Sequence, residues 1–321
     1  MTREAADAVA ALRGGGLVAL PTETVYGLAA NARDPAAVAR LFAVKGRPAA
    51  HPVIVHLSDA AMLDHWATDV PPWARLLADA LWPGPLTLIV PRADTVLDAV
   101  TGRQATVGLR VPAHPLTLEV LRELSDGIAA PSANRYGQVS PTTAQHVLDE
   151  LGDHLDPDRD LVLDGGPCPV GVESTIIGAW DDTPRLLRAG AVTVSQVTAL
   201  VGREVSPAGN GVRAPGTTAA HYSPRATVVP VEPDAFDDAV DGVTAPFGVI
   251  ALAGVRGPDA AHVRLAAPAN DDEYARVRYA ALRAADDAHL AVVVAVLPPD
   301  IGVGQAVRDR LQRAAARPVT S

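Results

Sequence analysis

The chain has 321 residues, 48 % of them hydrophobic and 20 % charged, and a formal net charge of −10. This composition is typical of a globular protein, and the length predicts two domains. The negative charge argues against a broad nucleic-acid-binding face, and the single cysteine, Cys168, excludes an internal disulfide and a Cys-rich zinc site. The N-terminus does not resemble a signal peptide and no apolar run is long enough to cross a bilayer, so we expect a cytoplasmic protein without membrane contact.

Helices and strands alternate through the first two hundred residues, which predicts an α/β domain. The predicted helices are residues 3–13, 35–45, 59–65, 72–81, 115–125, 142–151 and 194–201. The predicted strands are residues 17–21, 52–57, 86–90, 107–111, 127–130, 161–164 and 174–180. The stretch "WPGPLTLIVP" indicates an antiparallel strand within this sheet.

A change in amino-acid composition marks the boundary of a second domain. Residues 206–226, "SPAGNGVRAPGTTAAHYSPRA", are rich in Gly, Pro, Ser and Thr without a period, which is typical of a linker. Beyond it, "TVVPV", "FGVIAL" and "AVVVAVL" predict parallel strands, with helices at "DDEYARVRYAALRAADDAH" and "GQAVRDRLQRAAA". We therefore predict a first domain over 1–205, a linker over 206–226 and a smaller α/β domain over 227–321.

Lys45 is the only lysine beside 26 arginines, and it is followed at once by Gly46, Arg47 and Pro48. A cation at a helix C-terminus complements the helix dipole, and an arginine would serve that purpose equally well. A compact ammonium differs from a guanidinium where a point charge must approach a phosphate closely. From these residues alone, a phosphate-binding role and a structural role are about equally supported.

Polar groups also follow predicted strands, where ligands of α/β sheets usually lie. "PTETVYG" (21–27) follows the first strand, and "APSANRYGQVSPTT" (130–143) carries Ser132 and Asn134 before Ser140, which we interpret as a helix N-cap. Neither a P-loop nor a nucleophile elbow is present, and the nine histidines show no metal-ligand spacing. His56 in an apolar strand has the pattern of a core histidine, and Cys168 that of an inert thiol.

Seven segments in order resemble the YrdC-like domain. They are "LPTETVYGLAANA", "LFAVKGRPAAHPVIVH", "WPGPLTLIV", "TVGLRVPAHP", "APSANRYGQVSPT", "GVESTI" and "LLRAG". With the linker motif "HYSP" and the second α/β domain, the arrangement resembles the long two-domain form of the threonylcarbamoyl-AMP synthase family. The resemblance implies a YrdC-like twisted mixed sheet with flanking helices and a smaller Rossmann-like α/β C-terminal domain.

The resemblance also implies an activity: condensation of L-threonine, bicarbonate or CO2, and ATP into L-threonylcarbamoyl-AMP and pyrophosphate. Mg²⁺ would accompany ATP. A separate tRNA threonylcarbamoyl transferase complex would use the product to modify tRNA, so no stable nucleic-acid binding is expected. The reaction needs cations and N–H donors around a phosphate rather than a strong nucleophile, and the sequence offers such groups.

Site residues are carried over motif by motif. The resemblance implies that the catalytic residues are Lys45, Arg47, Ser132 and Asn134. It implies that ATP contacts Lys45, Arg47, His51, Thr106, Ser132, Ser140, Arg188 and Tyr222, the last closing over the nucleotide from the linker. It implies that threonine contacts Thr24, His56, Arg110, Ala130 and Ser174. His51 stands where many relatives have asparagine.

Two other functions compete with this one. An RNA-binding or RNA-maturation protein could use the concave, locally basic surface of a YrdC-like fold, but the charge of −10 and the lack of aromatic residues among the basic ones count against it. Carbamoyl transfer in hydrogenase maturation uses related domains with Cys-rich zinc segments, which a single cysteine excludes.

Overall fold

A computed structural model describes residues 1–209, 211–218, 221–257 and 262–316. The chain forms two compact units. The first unit comprises Met1–Tyr136, Pro141–Pro169 and Glu173–Thr217. The second unit comprises Gly137–Ser140, Val170–Val172 and Thr218–Ser321. Two short segments from the middle of the first unit's sequence are thus part of the second unit.

The first unit is built on one mixed sheet, which has ten strands in the part of the chain that the structure describes. These strands are β1 (Val18–Leu20), β2 (Gly27–Asn31), β3 (Ile54–His56), β4 (Leu86–Pro91), β5 (Thr106–Arg110), β6 (Ile128–Ala129), β7 (Leu161–Val162), β8 (Thr175–Gly178), β9 (Arg185–Arg188) and β10 (Ser206–Pro207). Their order across the sheet is β10-β9-β8-β4-β5-β3-β6-β2-β1-β7. β3 and β5 are parallel, whereas β4 pairs antiparallel with β5, as "WPGPLTLIVP" predicts.

Eight α-helices accompany this sheet among the described residues. They are α1 (Arg3–Arg13), α2 (Pro35–Lys45), α3 (Leu63–Trp66), α4 (Pro72–Leu81), α5 (Asp98–Thr101), α6 (Pro115–Leu124), α7 (Ala144–Leu151) and α8 (Val194–Val201). Helix α2 shows why its bounds were predictable: the Asp34 carboxylate accepts the Ala36 and Ala37 amides, and Gly46 ends the helix with a φ of 62°. A left-handed residue at that position is most easily a glycine.

The two faces of the central strands differ, and this difference positions the site. On one face, Val55, Leu88, Leu109 and Ile177 lie in the main hydrophobic core. Because strand side chains alternate between faces, their sequence neighbours point the other way. There Ile54, Ile89 and Ile176 pack with Ala214, a residue of the predicted linker, rather than with a helix.

The second unit is a smaller parallel sheet. Its strands are β11 (Thr227–Val231), β12 (Phe247–Ile250), β13 (Val263–Ala266) and β14 (Val292–Val296), in the order β11-β14-β12-β13. All three pairings are parallel. The helices are α9 (Phe236–Asp241), α10 (Asp271–Asp287) and α11 (Gly304–Ala315).

This architecture confirms the predicted fold class of a mixed sheet with helices and a second parallel α/β domain. The sequence pattern does not predict β2, β9, β10, β13, α5 or α9. The interpretation of Ser140 as a helix N-cap is wrong: α7 begins later, and the Thr143 hydroxyl accepts the His146 amide. No helix among the described residues is long and apolar enough to span a membrane.

Candidate active site

Lys45 is the last residue of α2 and is 2 % exposed. Its Nζ donates to the carbonyl oxygen of Ser132 at 2.5 Å and to that of Asn134. These carbonyls follow β6, so the fold brings together two motifs that lie 87 residues apart in sequence. An ammonium has three N–H donors, so one remains for a ligand.

The electrostatic environment of Lys45 disfavours its own charge. Burial, and then the positive charge of Arg47, hold the pKa of Lys45 well below its usual value. An anion placed beside these two cations would stabilise both. The cluster is therefore suited to a negatively charged group such as a phosphate.

The side chain of Arg47 is held by its own loop. Its Nη2 donates to the Pro52 carbonyl at 2.7 Å, and its guanidinium lies 5.7 Å from the Tyr136 ring centroid. The Tyr136 hydroxyl lies 3.1 Å from Nδ1 of His51. Burial and the charges of Arg47 and Arg213 lower the pKa of His51, which favours the neutral imidazole at pH 7.

A second cluster surrounds Arg110, the last residue of β5. Its Nη2 lies 2.7 Å from Oε1 of Glu23, and its Nε donates to the Gly84 carbonyl at 3.2 Å. Oε2 of Glu23 accepts the Ala113 amide at 3.0 Å. The sequence pattern indicates the neighbouring Thr24 but not Glu23, a buried carboxylate that orients the guanidinium. The burial of Glu23 is what distinguishes it, and burial of a charged residue cannot be seen in the sequence.

His56 lies beside Arg110 because β3 and β5 pair in parallel register. Burial, and then the charge of Arg110, hold the pKa of His56 well below its usual value. Its Nδ1 has no hydrogen-bond partner among the described residues. Thr24, which follows Glu23 in the sequence, is fully buried, and its hydroxyl lies 2.9 Å from that of Thr22.

Ser174 precedes β8 and joins this face of the sheet to Arg188. The Ser174 hydroxyl lies 2.7 Å from that of Thr87, and Arg188 donates to the Ser174 carbonyl from Nε at 3.1 Å and from Nη2 at 2.9 Å. Nη1 of Arg188 donates to the carbonyl of Pro215 at 3.0 Å. Residues of the predicted linker are thereby fastened to the first unit.

The remaining predicted site residues lie outside the clusters around Lys45 and Arg110. Thr106 begins β5 and is half-buried, and the Ala130 amide donates to the Ile54 carbonyl at 3.0 Å. Ser140 and Tyr222 are both buried and belong to the second unit, not to the unit that contains Lys45. The Tyr222 ring lies 5.8 Å from that of Tyr279 within that unit.

Cys168 is buried, and burial raises its pKa to about 12. At neutral pH the sulfur is therefore a protonated thiol. This state agrees with the interpretation of an inert residue, because the thiolate is the reactive form.

The fold and these clusters define an α/β protein with a YrdC-like mixed sheet and two clusters of buried cations, one around Lys45 and one around Arg110. A family model described as "Telomere recombination" matches residues 10–190, and one described as "Threonylcarbamoyl-AMP synthase, C-terminal domain" matches residues 192–316.

Curated relatives and solved structures agree with these matches. The threonylcarbamoyl-AMP synthase of Pyrococcus abyssi is 38 % identical over 315 residues, covering 94 % of this chain and 91 % of the relative. That of Bacillus subtilis is 38 % identical over 325 residues, covering 97 % and 92 %. A crystal structure of P. abyssi Sua5 complexed with L-threonine matches with a TM-score of 0.87 at 35 % identity, covering 97 % of this chain and 94 % of that one.

The chain belongs to the threonylcarbamoyl-AMP synthase family. The family expected from the sequence is thus confirmed, and the comparisons do not favour the RNA-binding alternative.

Proposed function

We propose that this chain condenses L-threonine, bicarbonate or CO2, and ATP into L-threonylcarbamoyl-AMP and pyrophosphate. The observation that carries the proposal is the buried Lys45 ammonium, held on the carbonyls of Ser132 and Asn134 with Arg47 beside it. Similarity over nearly the full chain to the threonylcarbamoyl-AMP synthases of P. abyssi and B. subtilis supports the proposal.

The ATP phosphates would lie against Lys45 and Arg47, with the Ser132 and Asn134 side chains alongside. Further nucleotide contacts would come from His51, Thr106, Ser140, Arg188 and Tyr222. In the reaction, a carbamate oxygen of N-carboxylated threonine attacks the α-phosphorus, and the bond to the β-phosphate oxygen breaks as pyrophosphate leaves. The charge developing on the phosphates is stabilised by preorganised cations, so the chain needs no covalent nucleophile.

Threonine would bind on the same sheet face as Arg110, whose planar fork suits a carboxylate. Its other contacts would come from Thr24, His56, Ala130 and Ser174. Glu23 holds one edge of the guanidinium, which leaves Nη1 to approach the threonine carboxylate in a fixed orientation. The similar P. abyssi Sua5 was crystallised in complex with L-threonine, which supports this choice of substrate.

Mg²⁺ would arrive with ATP as part of the substrate. The described residues contain no group of three or more His, Cys, Asp or Glu side chains arranged to hold a metal ion. The ligand set of the ion would then come mainly from phosphate and water oxygens, as Mg²⁺ prefers.

The product, a reactive mixed anhydride, would pass to a tRNA threonylcarbamoyl transferase complex. The protein itself would act in the cytoplasm and hold no tRNA stably, in keeping with its net charge of −10.

The first test is pyrophosphate release from Mg-ATP and bicarbonate, with L-threonine, with L-serine, or with neither. We expect release that depends on threonine and is weaker with serine, together with the mass of threonylcarbamoyl-AMP. Absence of release under all three conditions, with salt-sensitive binding of bare tRNA, would favour the RNA-binding function instead.

Replacing Arg110 by lysine should raise the KM for threonine by about 10- to 100-fold, because a single ammonium cannot contact Glu23 and the Gly84 carbonyl and also reach the carboxylate from the position of Nη1. The KM for ATP should change little, since Arg110 lies in the cluster assigned to threonine. Steady-state kinetics with each substrate varied in turn measures both constants. Arg92→Lys, which alters a partly exposed ion pair between the end of β4 and Asp98 of α5, is the matched control. Equal effects of Arg110→Lys on both constants would contradict the assignment.

A further inference from the structure

The second unit contains a cavity of about 380 Å³ at the carboxyl ends of its parallel strands. Glu232 and Pro233 follow β11, Leu252 and Val255 follow β12, and Leu297–Asp300 follow β14. Three strands that are neighbours in the sheet thus each contribute the residues that come directly after them. The volume falls in the range of about 300–1,000 Å³ that is usual for small-molecule sites.

The chain connections around the cavity leave the sheet on opposite faces. Helix α9, which follows β11, packs through Phe236 and Val240 into a cluster with Val294. Helix α11, which follows β14, contacts β11 and α10, and the Tyr274 hydroxyl of α10 donates to the Val296 carbonyl at 2.9 Å. Val293 and Ala295, fully buried, alternate with Val294 and therefore face the side opposite α9.

β11 and β14 are adjacent, and the connections that follow them leave the sheet on opposite faces. The point between them is therefore a topological switch point. In open α/β sheets, ligands bind in the crevice that such a point creates beyond the strand ends. The cavity occupies this crevice, which is an observation independent of its volume.

The lining is mainly apolar and carries a small net negative charge. Its apolar part comes from Pro233, Leu252, Val255, Val296, Leu297, Pro298 and Pro299. Arg308 pairs through both terminal nitrogens with the Glu232 carboxylate, and its Nη1 also donates to the Pro298 carbonyl at 2.9 Å. Asp300 adds a second carboxylate to the lining, so the single guanidinium is outnumbered.

From this geometry we infer that the second unit binds an uncharged, nucleoside-sized heterocycle, with its ring among the aliphatic side chains and its N–H groups directed to the two carboxylates. Phosphorylated ligands are disfavoured because Arg308 is already neutralised by Glu232 and the remaining carboxylate repels an anion. The site lies wholly within the second unit and does not depend on the activity proposed for the first.

The test uses the full chain with adenosine as the probe and AMP as its anionic counterpart. A saturating non-hydrolysable ATP analogue is present to occupy any nucleotide site in the first unit. Calorimetric titration should show adenosine binding, with AMP weaker by about tenfold or more because of charge repulsion.

Leu252→Trp, which fills the cavity from a half-buried loop position, should weaken adenosine binding by at least about tenfold. Ile301→Trp, at a position 70 % exposed, is the matched control and should bind adenosine as the unmodified chain does. Glu232→Gln should narrow the difference between adenosine and AMP, because it frees Arg308 for a phosphate. Thermal melts establish that each variant is folded.

Each result has a defined meaning. Adenosine binding that Leu252→Trp removes and Ile301→Trp spares supports the site. No adenosine binding, binding that Leu252→Trp leaves unchanged, or AMP binding as tight as adenosine binding to the unmodified chain overturns the inference.

Discussion

Replacing Lys45 by arginine should reduce threonine-dependent pyrophosphate release by about 10²–10³-fold, the size of effect seen when one preorganised donor to a developing charge is lost. The Lys45 ammonium is enclosed by the carbonyls of Ser132 and Asn134 and is 2 % exposed. A planar guanidinium is larger and directs its N–H groups in one plane. It cannot serve both carbonyls and still present a donor to a phosphate at the position of Nζ.

Two variants separate lost chemistry from lost structure. Lys45→Met keeps most of the length of the side chain without its charge. It should be equally inactive with only a small change in stability, because removal of a buried charge offsets the loss of the hydrogen bonds to the Ser132 and Asn134 carbonyls. Arg75→Lys, in an exposed ion pair with Asp64, is the control for a conservative change between basic residues. Near-normal turnover by folded Lys45→Arg would contradict the account of the single lysine.

Asp160→Asn should lower the free energy of unfolding of the first unit by about 3 kcal/mol, the scale of breaking a buried ion pair. The Asp160 carboxylate is bound by both terminal nitrogens of Arg40 and accepts the amides of Leu17 and Asp156, each at 2.8 Å. The asparagine would leave Arg40 without its countercharge and would turn an acceptor into a donor facing these N–H groups. Denaturant unfolding measures the difference.

Asp181→Asn is the matched control, since it alters an exposed ion pair with Arg185 and should cost less than about 1 kcal/mol. An equally small loss for Asp160→Asn would show that the buried network contributes little.

The contribution of Asp160 should also depend on pH. Burial alone would raise its pKa, but the hydrogen bonds from Arg40, Leu17 and Asp156 outweigh burial, and the net effect is a lowered pKa. Protonation therefore favours the unfolded chain. The difference in stability between the unmodified chain and Asp160→Asn should be fully present above about pH 4, near the unfolded pKa, and should shrink as the pH falls through the lower folded value.

Local signals in the sequence were sufficient for most of the longer helices, but not for the short α5 and α9. Asp34 and Gly46 bound α2 through a side-chain cap and a left-handed residue, and both effects act over a few residues. The N-cap of α7 shows the limit of such signals: Ser140 and Thr143 are both reasonable caps by residue type, and tertiary packing decides between them.

Strands were harder to predict where they are short or exposed. β9 and β13 contain arginines, and the only buried position in either strand is Arg188 of β9, so they lack the continuous apolar run that identified β4 and β14. Their pairing partners in the sheet hold them in place, and a sequence read locally does not contain those partners.

The candidate site also contains residues that the sequence indicates and residues that it does not. Lys45 was conspicuous because of its residue type, whereas Glu23 was not, although the two carboxylate oxygens of Glu23 hold Arg110 and the Ala113 amide. The relation between Glu23 and Arg110 joins segments far apart in the chain. It becomes visible only when the fold places the segment between β1 and β2 beside the end of β5.

The edge of the first sheet has a consequence for synthesis of the protein. β1 pairs with β7, and the Leu17 amide donates to Asp160, two residues 143 positions apart. Most of the first unit must therefore be synthesised before β7 can pair with β1 and cover its outer edge. Contacts of such separation are slow to form because loop-closure entropy is lost before they contribute. During that interval β1 exposes an unpaired edge, which becomes covered only after residue 162 has left the exit tunnel.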